Sequence, residues 1–188
     1  MMIMGQARTI GVIGAGLMGH GIALTFARCG HEVHVYDPFG EALAALHDRI
    51  EASLSALGAS TAEIASALVR VKTADTVKQA VKSAHFVIEA APEKLELKQS
   101  IFQSLGDALG PDVLLASNTS SLSLTEIADA AAHSERVVGM HFFNPVHIMK
   151  LVEVVRTERS SDEAVQTAME LSRRMGKEPI DVKDAPGF

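Results

Sequence analysis

The sequence alternates between short β-branched runs and longer stretches with apolar residues at helical spacing. The first run, Thr9–Ile13, is followed at once by the glycine-rich loop Gly14–Gly19, and helical spacing then continues from Leu17 to Arg28. A second run at Glu32–Tyr36 ends at Asp37. Strands that are separated by helices need crossover connections, which are right-handed and place the helices against the faces of a parallel sheet. The pattern therefore predicts an α/β fold with a doubly wound, mostly parallel sheet and helices on both faces.

The alternation continues to the end of the chain. Further strands are predicted at 86–88, 113–116, 137–140 and 151–155, with an edge strand at 180–182 and antiparallel pairing at that edge. Helices are predicted at 41–57, 62–68, 93–109, 124–131 and 162–175. Ser60 or Thr61 can cap the second of these helices. The pattern predicts no element between 69 and 85.

The loop Gly14-Ala15-Gly16-Leu17-Met18-Gly19 has the pattern G-x-G-x-x-G. Gly14 permits a tight turn, Gly16 lets the backbone approach a pyrophosphate, and Gly19 allows close packing of helix and strand. The helix N-terminus offers N–H groups and the positive end of its dipole to the phosphates. Such a loop can also be a closely packed turn without a ligand. Its place between a strand and a helix favours a Rossmann-type, dinucleotide-binding domain.

Asp37 ends the second strand, 18 residues beyond Gly19. A carboxylate at this place can accept hydrogen bonds from ribose hydroxyls and would repel a 2′-phosphate. No arginine adjoins it in the sequence, since Pro38 and Phe39 follow. The cofactor is therefore predicted to be NAD rather than NADP. The alternative is that Asp37 only forms a turn with the proline.

His141 and Glu153 are the candidates for acid–base chemistry. The chain has eight histidines without a convincing metal-ligand spacing, so no metal is predicted. His141 ends an apolar strand, where open α/β sheets bind their ligands. If this strand and the next fold back around His147, His141 faces Glu153. A carboxylate would fix the imidazole tautomer and stabilise its cation, as a general base requires. The alternative is a structural pair at the sheet edge.

Two other polar groups have open interpretations. The cluster Ser117–Ser121 follows a predicted strand, where it could donate hydrogen bonds to a ligand or cap the helix that begins near Leu124. Lys94 and Lys98, together with Glu96, have the spacing of a solvated helix face.

Composition excludes several classes of partner. The chain has 188 residues, enough for one domain, and 47% of them are apolar. Its formal net charge is −6, and no basic run is interleaved with aromatic residues, which argues against nucleic acid. Cys29 is the only cysteine, so an internal disulfide is excluded. No apolar stretch is long enough to span a membrane. We therefore expect a cytoplasmic location.

Several motifs together resemble one enzyme family. G-A-G-L-M-G, S-N-T-S-S-L, H-F-F-N-P-V, M-K-L-V-E-V-V and D-A-P-G-F have the order and spacing found in 3-hydroxyacyl-CoA dehydrogenases. The chain resembles the N-terminal NAD-binding domain of that family, of the 3-hydroxybutyryl-CoA type, over 8–188. Residues 1–7 are expected to be disordered. The family's helical domain, which covers the substrate and forms the dimer, is expected to be absent from this chain.

The resemblance implies NAD-dependent oxidation of an L-3-hydroxyacyl-CoA to a 3-ketoacyl-CoA, as in β-oxidation of fatty acids or the degradation of aromatic compounds. It implies that His141 is the catalytic base and Glu153 its orienting carboxylate. Ser120 and Asn144 match residues that contact the substrate hydroxyl and the nicotinamide. An acyl-CoA is the implied partner, and a dimer is the implied full-length form.

The resemblance also implies contacts farther from the reacting atoms. Glu93 and Lys98 match residues at the nicotinamide-ribose end of the cofactor. Ser53 matches a contact to coenzyme A. The lysine that the family has soon after this serine is absent, and Arg49 or Arg70 are candidates to replace it.

Three other interpretations stay open from the sequence. The isolated chain could be an NAD-binding module without turnover of its own. It could be related to enzymes that act on small β-hydroxy acids, although nothing clearly matches their catalytic lysine. It could also be a structural protein, as is a lens crystallin that is similar to this family.

Overall fold

The computed structural model describes residues 7–185 and Gly187, and these form an eight-stranded sheet with helices on both faces. Disorder was expected at 1–7, and these residues, apart from Ala7, lie outside the described part of the chain. Phe188 also lies outside it. In chain order the strands are β1 (Thr9–Ile13), β2 (Glu32–Tyr36), β3 (Val71–Ala74), β4 (Phe86–Glu89), β5 (Leu114–Ser117), β6 (Val137–Phe142), β7 (Leu151–Arg156) and β8 (Glu178–Lys183).

The strand order is β3-β2-β1-β4-β5-β6-β7-β8. The first six strands along the chain are parallel, β7 is antiparallel to β6, and β8 is parallel to β7. The chain winds outward first to β3 and then, from β4 on, in the opposite direction. This reversal creates a crevice at the carboxyl ends of β1 and β4, where open α/β sheets bind ligands. The predicted fold class is confirmed.

The helices cover the sheet from both sides. They are α1 (Leu17–Arg28), α2 (Gly40–Ala44), α3 (Leu46–Ala56), α4 (Thr61–Leu68), α5 (Val77–Val81), α6 (Leu95–Ala108), α7 (Leu124–Ala128) and α8 (Asp162–Arg174). One core contains side chains of α1, α3 and α8, and the other contains side chains of α5, α6 and α7. Along β1, Ile10 and Val12 enter the first core whereas Ile13 enters the second. The sheet is therefore buried on both faces, as a parallel sheet requires.

Local structure departs from the predictions in the connection after β2. The helix predicted at 41–57 is divided at Ala45 into α2 and α3. Two elements, β3 and α5, lie where the pattern predicts none. Strand β3 has only four residues and is buried at its two ends but exposed in the middle, so it lacks the alternation by which a strand is recognised. Ser60 is confirmed as the cap of α4, in a capping box with Glu63.

Within the described part of the chain, the helices are too short or too polar to cross a lipid bilayer.

Candidate active site

The glycine loop connects β1 to α1 at the crevice. Gly14 has φ +110°, and a Cβ on it would lie 2.6 Å from the carbonyl oxygen of Ala90. A Cβ on Gly19 would overlap the carbonyl oxygen of Gly14. Both positions therefore require glycine. Among the described residues other than its chain neighbours, no atom lies within 4 Å of a Cβ built on Gly16, so the loop is open there. An open backbone at the N-terminus of α1 fits a bound pyrophosphate.

Asp37 is held against this loop by the backbone. Its Oδ2 accepts a hydrogen bond from the Ala15 N–H at 2.8 Å, and its Oδ1 accepts one from the Phe39 N–H at 2.9 Å. Each carboxylate oxygen has a second lone pair that can accept from a ribose hydroxyl. Although no arginine adjoins Asp37 in the sequence, Arg49 reaches the loop in space and donates from Nη1 to the Ala15 carbonyl oxygen at 3.0 Å.

Glu89, at the end of β4, is the centre of a buried polar network. Its Oε1 accepts from the Lys98 Nζ at 2.6 Å and from the Ala91 N–H at 2.6 Å, and its Oε2 accepts from the Ser117 Oγ at 2.6 Å. Glu89 is 0% and Lys98 1% exposed. The interpretation of Lys98 as part of a solvated face is therefore wrong, because the ammonium enters the interior to neutralise Glu89. Lys94 does remain exposed.

Glu93 connects this network to the loop after β5. Its carboxylate accepts from the Ser120 N–H at 2.8 Å and from the Thr119 hydroxyl, and it lies 3.4 Å from the Lys98 Nζ. Burial raises the pKa of Glu93, but the hydrogen bonds from Thr119 and Ser120 and the charge of Lys98 outweigh it, so the net pKa is below its usual value. The carboxylate is therefore ionised at neutral pH.

Three residues of the 117–121 cluster donate hydrogen bonds to carboxylates of this network. Ser117, Thr119 and Ser120 bind the carboxylates of Glu89 and Glu93. The cap of α7 is instead Ser123, which lies beyond the cluster.

The predicted contact between His141 and Glu153 is confirmed. The two residues oppose each other in the β6–β7 ladder, and the His141 Nδ1 lies 2.7 Å from the Glu153 Oε2. An ionised carboxylate only accepts hydrogen bonds, so Nδ1 carries the proton and the lone pair of the neutral ring lies on Nε2. Both side chains are partly exposed, at 16% and 22%. The pair is therefore not sealed inside the core of the protein.

The loop after β5 lies beside this pair. The Asn118 side-chain oxygen accepts from the Phe142 N–H at 2.9 Å, which joins the loop to the residue that follows His141. Ser120 is exposed at this edge, and its Oγ lies 3.4 Å from Glu93. Asn144 is exposed in the segment after β6. Ser53 lies elsewhere, on α3, where its Oγ is 3.4 Å from the His20 Nε2.

Most of the predicted residues thus gather at the carboxyl edge of the sheet, from Asp37 after β2 to His141 on β6. Ser53 is on the α1–α3 face. The sequence interpretation missed Glu89, and it named Asn118 and Thr119 only as members of the 117–121 cluster. Glu89 could have been identified from the sequence, because it directly follows the apolar run Phe86–Ile88. An acid there stands at the carboxyl end of a parallel strand, where ligands bind.

A doubly wound sheet with an open glycine loop, an acid after β2 and an imidazole–carboxylate pair at the same edge defines the nucleotide-binding domain of an NAD-dependent dehydrogenase. Residues 9–185 match the sequence model of the family described as 3-hydroxyacyl-CoA dehydrogenase, NAD binding domain. The chain belongs to this family.

Its relatives are longer than the chain. It is 42% identical to 3-hydroxyadipyl-CoA dehydrogenase of Escherichia coli (strain K12), over 97% of the chain and 39% of that protein. It is 40% identical to 3-hydroxybutyryl-CoA dehydrogenase of Clostridioides difficile, over 95% of the chain and 65% of that protein. The crystal structure of 3-hydroxybutyryl-CoA dehydrogenase from Escherichia coli K12 superposes with a TM-score of 0.92 at 40% identity, covering 97% of the chain and 39% of that structure.

Proposed function

We propose that this chain supplies the cofactor-binding and catalytic half of an NAD-dependent dehydrogenase that oxidises an L-3-hydroxyacyl-CoA to a 3-ketoacyl-CoA. The observation that carries the proposal is the 2.7 Å contact between His141 and Glu153 at the edge that also carries the glycine loop. The names of the relatives, which act on 3-hydroxyadipyl-CoA and 3-hydroxybutyryl-CoA, support a 3-hydroxyacyl thioester as the substrate.

The residues of the crevice fit NAD. The loop Gly14–Gly19 would hold the pyrophosphate, and Asp37 would accept from the adenosine ribose. Glu93 and Ser120 would line the nicotinamide-ribose end, and the enclosed Lys98 would act there only through its charge beside Glu93. When bound, NAD supplies the hydride acceptor.

His141 would act as the general base. With its Nδ1 proton directed to Glu153, its Nε2 would take the proton of the substrate 3-hydroxyl while the C3–H hydride leaves. The Glu153 carboxylate would stabilise the imidazolium that forms. A positioned base of this kind typically accelerates a reaction by about 10²–10⁴-fold. Ser120 and Asn144 would orient the substrate oxygen.

A second candidate is a module that binds NAD but does not turn over by itself. This candidate is favoured by the length of the relatives, because the chain spans only 39% to 65% of the two relatives named above. Closure of a further domain over a substrate often completes an active site.

One paired experiment tests both candidates. NADH is titrated into the chain, and its oxidation by acetoacetyl-CoA is followed in a parallel sample. Binding with consumption of NADH supports the dehydrogenase, and binding without consumption supports the module. If NADH does not bind, both candidates are wrong.

A further inference from the structure

Lys177, directly before β8, is a buried cation that the proposed mechanism does not use. The residue is only 8% exposed, and burial lowers the pKa of its ammonium. Within the described part of the chain, the ammonium forms no ion pair with a carboxylate. It donates instead to the backbone carbonyl oxygens of Val146 and, at 2.7 Å, of Met149. A charge is costly to bury, so these two hydrogen bonds are what stabilises it there.

The ammonium lies at the edge of the sheet where the candidate site is. β7 is antiparallel to β6 and β8 is parallel to β7, so β7 and β8 both begin at the edge where β6 ends. The segment 143–150 connects β6 to β7 along this edge. The Glu178 N–H joins β8 to the end of the segment, because it donates to the Lys150 carbonyl oxygen at 2.8 Å. Lys177 therefore lies beside the connection between the strands that carry His141 and Glu153.

The segment 143–150 is a compact turn with two attachments. The Pro145 carbonyl oxygen accepts from the N–H groups of Ile148 at 3.0 Å and Met149 at 2.9 Å. The buried Val146 side chain packs against α1 so closely that a Cβ on Gly21 would lie 2.9 Å from the Val146 Cβ. The turn is thus held by α1 through one side chain and by Lys177 through two carbonyls.

Asn144 depends on this turn for its position. It is exposed, three residues after His141, and its side chain makes no hydrogen bond to the described residues. Asn118, by contrast, is fixed directly, since its side-chain oxygen accepts from the Phe142 N–H. Where the Asn144 amide lies is therefore determined by the backbone that carries it, and that backbone is held by Lys177.

We propose that Lys177 is a positioning residue, which holds the segment 143–150 by its carbonyls so that Asn144 stays beside His141 at the substrate oxygen. An ammonium suits this role because its three N–H donors can serve two converging carbonyls at once. The assignment rests on the proposed function, because that function is what gives Asn144 the substrate oxygen to orient.

The position of Asn144 can be measured without turnover. The chain contains two asparagines, Asn118 and Asn144, so a sample labelled with ¹⁵N-asparagine gives an NMR spectrum with one internal reference. We expect Lys177→Met to shift or broaden the backbone and side-chain signals of Asn144 and to leave those of Asn118 in place. The matched control is Lys150→Met, which removes the same charge from the same edge but from an exposed side chain, and is expected to move neither.

The consequence for catalysis is measured by kcat for the reduction of acetoacetyl-CoA by NADH. We expect Lys177→Met to lower kcat by about 10–10²-fold, because small displacements of an orienting group have effects of this size. Lys177→Arg keeps a charged donor and is expected to recover part of the loss. In the Asn144→Ala background, Lys177→Met is expected to lower kcat by less than about twofold further, since it acts through the residue already removed. A merely structural role would not produce this dependence.

Two results would overturn the proposal. Folded Lys177→Met could give the Asn144 signals of the unmodified chain, or the effects of Lys177→Met and Asn144→Ala on kcat could multiply. If Lys177→Met does not fold, Lys177→Gln takes its place, because its uncharged amide reaches less far than the ammonium and should shift the same signals. If the unmodified chain binds NADH without turnover, the dehydrogenase proposal fails for the isolated chain, and the Asn144 signals alone decide the role of Lys177.

Discussion

The Lys98 ammonium lies 2.6 Å from the Glu89 carboxylate, and both side chains are fully enclosed by protein. Glu89 ends β4 and Lys98 lies on α6, so the pair joins the start of that helix to the sheet. The segment between them carries Glu93, whose carboxylate also lies near the Lys98 ammonium. The part of the crevice edge that carries Glu93 is thus built around a buried ion pair.

Replacement of one partner of this ion pair should lower the free energy of unfolding. Lys98→Met leaves the Glu89 charge buried without its counter-charge, and we expect the free energy of unfolding to fall by about 3–5 kcal/mol. The double variant Glu89→Gln/Lys98→Met carries no buried charge and should recover most of that loss. Chemical denaturation measures all three proteins. A single variant as stable as the double one would contradict this account.

Glu93 should make stability depend on pH in the acidic range. Its pKa in the folded chain is below the usual 4.5, because the Thr119 and Ser120 hydrogen bonds and the Lys98 charge outweigh the opposing effect of burial. The stabilisation is therefore fully present above pH 4.5 and is lost as the pH falls through the lowered pKa.

The comparison is between the unmodified chain and Glu93→Gln, unfolded with denaturant from about pH 7 to about pH 3. We expect the difference in unfolding free energy to be largest above pH 4.5 and to shrink below it. A difference that stays constant over this range would show that the Glu93 carboxylate is not stabilised as its contacts indicate.

Asp37 should determine affinity for the adenosine half of the cofactor. Asp37→Ala removes the acceptor for the ribose hydroxyls and also releases the Ala15 N–H that it anchors. We expect NADH to bind at least about tenfold more weakly, and discrimination against NADPH to decrease. Glu41→Ala, which removes an exposed carboxylate from α2, is the control for net charge. Unchanged NADH affinity in a titration of Asp37→Ala would refute the assignment.

Glu153 should assist His141 through its negative charge as well as by orienting the imidazole ring. Glu153→Gln retains an oxygen that can accept from the His141 Nδ1 but does not stabilise an imidazolium. We expect kcat for acetoacetyl-CoA reduction to fall by up to about 10², with NADH binding unchanged, and Glu153→Ala to be slower still. If the glutamine variant turns over at the rate of the unmodified enzyme, the carboxylate charge has no catalytic role.

The parts of the site that sequence predicted are those that depend on local pattern. The glycine loop is a contiguous motif between a strand and a helix. The meeting of His141 and Glu153 follows from the symmetry of one antiparallel hairpin about His147, because its register fixes which residues face each other. Such relationships need no knowledge of how distant elements pack.

The remaining contacts depend on tertiary packing. Lys98 has the spacing of a surface residue on α6, and only the approach of β4 gives it a buried partner. Arg49 reaches Ala15 because α3 packs against α1, and α3 begins only after a break at Ala45 that the helical pattern does not show. Propensity and periodicity describe elements one at a time and do not contain this information.

We propose that His141 moves the proton in a site that NADH occupies independently of it. The most direct measurement compares kcat for NADH-dependent reduction of acetoacetyl-CoA with the Kd for NADH, in His141→Ala and in His85→Ala, whose histidine is exposed before β4. We predict that His141→Ala lowers kcat by about 10²–10⁴-fold while its Kd changes by less than about twofold, and that His85→Ala changes neither. Turnover of His141→Ala at the unmodified rate would contradict the account.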